Sequence, residues 1–208
     1  MRKEIKLSGL LAVGAVLSLI SCGENKTADT EMTTSNIQTP IENIMTRASV
    51  RQFTDRAVSQ DTLETIVKAG MAAPSAVNKQ PWDFVVVTDR PVLDSLMAHH
   101  PHANLQTATA AIIVCGNMEK AMEGDGQAYW IQDCSAATEN ILLAAHSLGL
   151  GAVWCGVYPM QDRVAPVREV LGLPSYVTPL NIITMGYPAQ EPQPKDKWNP
   201  ANVHYQKW

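Results

Sequence analysis

The chain has 208 residues and carries 16 lysine and arginine side chains against 20 acidic ones, a formal net charge of −4. That mildly acidic balance has no electrostatic footprint for nucleic acid. Beyond the first segment stand three cysteines, Cys115, Cys134 and Cys155, whose spacing matches neither a zinc knuckle nor a disulfide framework, so they read as buried thiols.

The N-terminal stretch MRKEIKLSGLLAVGAVLSLISC places Arg2, Lys3 and Lys6 before an apolar run and small residues before Cys22, the layout of an export signal. The run from Leu7 to Ile20 is shorter than the roughly 18 apolar residues wanted for a membrane span. Its LISC ending resembles a bacterial lipoprotein signal, which implies removal of residues 1–21 and a lipid on Cys22 as the only membrane attachment. The protein is then expected in the cell envelope outside the inner membrane; a retained leader would instead leave it cytoplasmic. Residues 22–40 are polar without apolar periodicity and read as a flexible tether. Residues 41–208 have the size of one domain with a real core.

Within that domain, IENIMT (41–46) is a short helix candidate, followed by the extended stretch RASVRQF. Ser59 then offers a cap to a helix in which Leu63, Ile66, Val67 and Met71 share one face, and Pro74 stops it. PSAVNKQPW leads into the strand FVVVT, a long and polar link for a place where a few turn residues would do. RPVLDSLMAHH reads as a helix with Pro91 in its first turn, and ATAAIIVCG as a strand covered on both faces. Residues 127–148 give the longest helical pattern, apolar nearly all round. GLGAVWCGVY supplies a glycine stop and a strand; APVREVLGLP a helix opened by Pro166 and closed by Gly172; LNIITMGYP the last strand. The tail, 189–208, is rich in proline and lysine, yet its Tyr205 and Trp208 need a surface to pack on. The order predicts an α+β sandwich around a small mixed sheet.

Arg47, Ser49 and Arg51 alternate, so an extended backbone puts two guanidiniums and a hydroxyl on one face. In isolation these arginines read first as surface salt bridges. Lys195 and Lys197 also alternate and could close the other side of an anion site, for which arginine's fork of donors is suited. Asn78 and Gln80 carry amides that donate and accept at once, matched to the mixed edge of a planar heterocycle; a capped turn explains them as readily. His99, His100 and His102 sit in HHPH, which lacks metal-site geometry and reads as an exposed loop or lid. Asp133 and Glu139 suit capping or bonding across an interface, and His146 a satisfied helical histidine.

Taken together, RASVRQF, AAPSAVNKQPWDFVVV, AAHSLGLGAVWCGVYP and GYPAQEPQPKDKW, in this order across 41–208, resemble the FMN-dependent nitroreductase family. The resemblance implies a three-layer α/β/α sandwich around a mixed, mainly antiparallel sheet, in a homodimer with FMN at the subunit interface. It implies that Arg47, Ser49 and Arg51 hold the phosphate and pyrimidine side of the flavin, joined by Lys195 and Lys197. Asn78 would bond the ring or ribityl chain, with Pro74, Ser75 and Gln80 shaping that wall, Ser75 from the partner subunit in one arrangement. Trp154, Cys155 and Gly156 match the segment whose backbone N–H groups approach flavin N5, although many relatives carry glutamate where Cys155 stands. The implied activity is ping-pong electron transfer from NAD(P)H through FMN to a nitroaromatic, quinone or similar acceptor. It needs no catalytic side chain and no metal. Reductive dehalogenation, flavin cleavage, or a non-enzymatic lipoprotein on the same scaffold stay open as alternatives.

Overall fold

The computed structural model describes residues 39–208. The leader, the lipidation site Cys22 and nearly all of the tether lie outside the described residues. Helix α1 (Pro40–Thr46) starts at Pro40, so that residue belongs to the domain and not to the tether. The cause is a capping box. Thr39 Oγ1 accepts the Glu42 N–H at 3.2 Å, Glu42 Oε2 accepts the Thr39 N–H at 2.8 Å, and proline at the first helical position loses no bond.

Helix α2 (Gln60–Met71) is capped by Ser59, as predicted. Leu63 and Ile66 are buried on its apolar face, but Met71 at the far end is 50% exposed and lines a surface groove with Val67 and Val86. The strands β1 (Trp82–Val87), β2 (Ala110–Asn117), β3 (Gly151–Gly156) and β4 (Val177–Gly186) form one sheet in the order β1-β2-β4-β3. Every neighbouring pair is antiparallel. The expected mixed sheet is therefore corrected: the parallel pairing among the described residues is an isolated bridge between Ser49 and Ala152. Helices between strands suggest parallel crossovers, yet β4 inserts between β2 and β3, so the chain direction reverses at each neighbour.

Strand β2 explains the layering. All eight of its residues are buried. Ala110, Ile112 and Val114 face α2 and the long helix α4 (Tyr129–Ser147). Ala111, Ile113 and Cys115 face the opposite layer, α3 (Arg90–His99) and α5 (Gln161–Leu171). A strand buried on both faces needs a continuous apolar run, and each isoleucine there contributes about 1.5–3 kcal/mol by leaving water. The predicted α/β/α sandwich is thus present. Helix α4 sits so close to α2 that a Cβ on Gly70 would lie 2.8 Å from Ile141.

Two helix readings change. Pro166 lies inside α5 and does not open it; its missing N–H leaves the carbonyl of Asp162 without its usual helical donor, in an exposed first turn open to solvent. In the tail, Trp208 is 99% exposed and stacks on His204 at 4.0 Å between ring centres, so its own chain provides no buried seat.

On the last turn of α4, His146 Nε2 lies 3.0 Å from Thr46 Oγ1. Burial, then the nearby Arg47, hold its pKa below the ordinary value of 6.5. A folded-state pKa below the unfolded one makes stability full above about pH 6.5 and lets it fall as the pH drops through the window beneath. His146→Gln is expected to flatten that acid-side slope in urea unfolding; an unchanged slope would assign it to another group.

Candidate functional site

Arg47 ends α1 and the chain then runs extended, with the Val50 N–H donating to the Ala152 carbonyl at 3.0 Å. Val50 is pressed inward against Gly151, where a Cβ would come within 2.6 Å of it. Its neighbours Ser49 and Arg51 therefore turn outward, which is the alternation expected of extended backbone. The tail is stitched alongside by Thr54 N–H to Tyr187 O at 2.9 Å and Ala189 N–H to Gln52 O at 3.0 Å. That stitching carries Gln193, Lys195 and Lys197 back over the arginines. The result is a cavity of about 210 Å³ lined by Arg47, Ala48, Ser49, Arg51, Gln193, Lys195 and Lys197. Four cations and a hydroxyl converge there with no carboxylate in the lining. Behind it, Glu139 of α4 holds Arg47 Nε at 3.3 Å, so that guanidinium is oriented before any ligand arrives.

Arg51 also lines a second cavity of about 360 Å³, together with His100, Pro101, His102, Asn104, Val153, Trp154, Cys155, Gly156 and Arg163. The anion pocket and the Trp154–Gly156 segment are therefore adjacent, joined at Arg51. Gly156 is informative here. A Cβ on it would meet nothing within 4 Å and its φ lies outside the left-handed region, so neither packing nor backbone conformation calls for glycine. Gly156 lines this cavity and the place a Cβ would take is open space, so no neighbouring side chain covers its backbone there.

Cys155 lines the same cavity but is shut off from solvent. It is buried, its thiol donates to the Ala103 carbonyl at 3.4 Å, and burial raises its pKa above the ordinary thiol range. Cys115 is likewise pushed up to about 12 by burial. Thiols so held are protonated and inert at neutral pH. Cys155→Ser is expected to retain ligand binding and turnover within about twofold, read by steady-state kinetics; a loss above tenfold would restore a chemical role for the sulfur.

The shelf Pro74–Gln80 is not a simple turn. Val77, Asn78 and Gln80 all have positive φ, at 43°, 57° and 49°. For β-branched Val77 this is a strained conformation, of a kind costing about 1–3 kcal/mol. Ser75 Oγ accepts the Gln80 N–H at 2.9 Å, and buried Asp133 of α4 accepts the Ala76 N–H at 2.8 Å, holding the shelf in place. Asp133 and Glu139 thus both bond within their own chain. Asn78 is exposed, and Gln80 lines a different cavity with Lys79, Trp82, Asp83 and Lys120. Within one chain the two basic cavities are lined without Pro74, Ser75, Asn78 or Gln80.

Two residues of the second cavity, Asn104 and Arg163, escaped the sequence reading. The HHPH run was read as an exposed loop or a lid; its His100 is 2% exposed, which corrects the exposed half of that reading, while His102 remains exposed and both line the cavity. Asn104, in the left-handed region at φ 57°, donates to the His102 carbonyl at 2.6 Å. Arg163 of α5 donates to the Gly156 carbonyl at 3.0 Å. The histidine run was a signal, but Arg163, one of several charged residues on α5, gave none.

The family model of nitroreductases matches residues 44–99 and 96–187. This chain belongs to the nitroreductase family. It is 45% identical over 171 residues to a provisionally named NADH dehydrogenase/NAD(P)H nitroreductase of Methanothermobacter thermautotrophicus, covering 81% of this chain and 87% of that one. A solved structure of the same provisional name from Parabacteroides distasonis superposes with a TM-score of 0.77 at 45% identity, over 82% of this chain and 99% of the other. A nitroreductase of Desulfovibrio desulfuricans, also provisionally named and solved in complex with FMN, superposes at 0.72 with 32% identity, over 83% and 99%. Lys195 and Lys197 lie beyond the stretch matched by the nitroreductase model, so their membership of the site rests on the cavity they line.

Proposed function

We infer that this nitroreductase-family protein is an FMN-dependent NAD(P)H oxidoreductase acting on small organic acceptors. The observation that carries the reading is the junction at Arg51 between a four-cation pocket and a cavity floored by bare Gly156 backbone. The residues fit the cofactor: arginine forks and a serine hydroxyl suit a phosphate monoester, and an open glycine suits a flat ring lying against the strand. Bound FMN supplies the redox chemistry, accepting two electrons from a nicotinamide and returning them to a nitroaromatic, quinone or similar acceptor. The chain's own part is binding and orientation. Arg47, pre-set by Glu139, and Arg51 fix the anionic end; Lys195 and Lys197, at the surface, raise the local attraction for it. The Cys155 thiol is buried, hydrogen-bonded and keeps its proton, so no covalent step is assigned to it. Donor and acceptor take turns at one open face, which gives ping-pong kinetics.

The active unit in this reading is a homodimer in which the partner brings Pro74, Ser75, Asn78 and Gln80 to the ring. It is supported by the separation of the shelf from the basic cavities and by uncovered apolar side chains, Ile41, Ile44 and Met45 on α1 and Trp198 and Trp208 in the tail. Co-expressing Arg51→Ala with Asn78→Ala is expected to restore FMN to one of two sites in the mixed dimer. No recovery would place the shelf elsewhere. Lipidation at Cys22 in the envelope belongs to the same proposal, and Cys22→Ser is expected to move the protein from membrane to soluble fractions. An envelope location also calls for a donor other than cytoplasmic nicotinamide, such as a quinol or a protein.

The decisive experiment is simple. Purified protein is expected to be yellow with about one FMN per chain and to oxidise NADH or NADPH only when an acceptor is supplied. A colourless protein that cannot be reconstituted with FMN would overturn the assignment.

A further inference from the structure

Helix α3 ends at His99, and His100 folds back with φ −138° and ψ 76°, its main-chain N–H still bonded to Leu96 O at 2.9 Å. Its ring enters the interior and places Nε2 at 2.9 Å from the Gly156 carbonyl. A carbonyl only accepts, so Nε2 carries the hydrogen, and in the neutral ring Nδ1 carries the lone pair. That Nδ1 is buried with no hydrogen-bond partner among the described residues. An unsatisfied buried acceptor costs stability, so packing alone does not account for a histidine here; a leucine would fill the space without the penalty. What histidine adds is the Nε2–H on Gly156.

The same carbonyl receives a second donor, Arg163 Nη1 of α5, at 3.0 Å. On the far side of the peptide, the Val157 N–H donates to Leu180 O of β4 at 3.0 Å. The Gly156–Val157 peptide is therefore held at both ends, its oxygen saturated by two side chains from opposite elements. Glycine is the residue least able to hold its own orientation, and this one floors the cavity that also contains Arg51, Asn104 and Trp154.

We propose that His100 is a positioning residue which, with Arg163, locks the Gly156 peptide so that its bare face is presented in one orientation to the bound ring. The proposal rests on the flavin reading above but is tested first without flavin. Gly156–Val157 is the sole Gly-Val pair in the chain, so labelling glycine carbonyls with carbon-13 and valine nitrogens with nitrogen-15 yields one correlated signal, that of this peptide. In FMN-free protein, His100→Leu is expected to move the Gly156 carbonyl resonance upfield, and His100→Gln, whose amide donates from the same reach, to return it most of the way. In FMN-loaded protein, His100→Leu is expected to keep the cofactor while slowing flavin reduction by NADH about tenfold, the scale of one lost hydrogen bond, and shifting the flavin midpoint potential; His100→Gln restores both. Should His100→Leu fail to fold, Arg163→Met removes the other donor from a less buried place and must show the same carbonyl and potential shifts. A carbonyl resonance unmoved in every folded variant overturns the proposal whether or not FMN binds, and so does a shifted resonance with unchanged potential and reduction rate. Failure of the wild-type protein to bind FMN would instead overturn the flavin reading and leave the carbonyl result standing.

Discussion

Replacing Arg47 and Arg51 together by alanine is expected to strip FMN from a protein that still folds. Each arginine offers charge-assisted bonds to an anion, worth about 1.5–3 kcal/mol apiece. Losing both weakens binding by roughly two to four orders of magnitude. The fold tolerates the change because both side chains face the cavity and the bond broken inside the protein is the Arg47–Glu139 pair, whose carboxylate is 48% exposed. Partly exposed pairs of that kind contribute about 0–1 kcal/mol. The measurement is an FMN titration by fluorescence at fixed salt, beside a thermal melt. Unchanged affinity would show that the phosphate lies elsewhere. Lys195 and Lys197, exposed in the tail, are expected to affect salt dependence and association rate more than residence time.

The second large effect is expected at Gly156→Val. Because a Cβ there meets nothing within 4 Å and φ is ordinary, the strand accommodates valine, whose β preference can add up to about 1 kcal/mol of stability. Binding is another matter in the proposed reading, in which Gly156 borders the ring and an added side chain crowds it. FMN affinity should fall at least about a hundredfold, the loss of some 2.7 kcal/mol, with the melting temperature held or raised. Gly151, in the same strand, is the contrast. Its Cβ would lie 2.6 Å from Val50, so Gly151→Ala is expected to destabilise the fold by about 1–3 kcal/mol through overpacking. If Gly156→Val binds FMN normally, the bare backbone is not the floor of the site.

The contrast between those glycines also shows where reading a sequence stops. Both stand in GAVWCG, and nothing local distinguishes the one packed against a neighbour from the one beside open space. Arg47, Ser49 and Arg51 were legible because extended backbone has period two and Val50 between them is apolar. Their meeting with Lys195 and Lys197 was suggested by the alternation in the tail and by the family resemblance, but it depends on the tail being stitched to residues 52–54. The burial of His100 was misread for a related reason: its partner carbonyl and Arg163 arrive from β3 and α5, far along the chain. PSAVNKQPW announced itself as too long and too polar for a turn, yet its three positive-φ residues and its anchor on Asp133 carry no local signature.

By itself the sequence determined the elements, the sandwich class and the family, because apolar periodicity, caps and glycine or proline stops act within a few residues of where they stand. It also set which residue types were available for an anion and a heterocycle. The tertiary structure decided that the sheet is antiparallel throughout, that the cations form one pocket joined at Arg51 to the cavity of Gly156, and that the Cys155 thiol and the His100 ring are both buried. Those outcomes depend on which distant segments meet, and a contact between elements is a property of the packed whole.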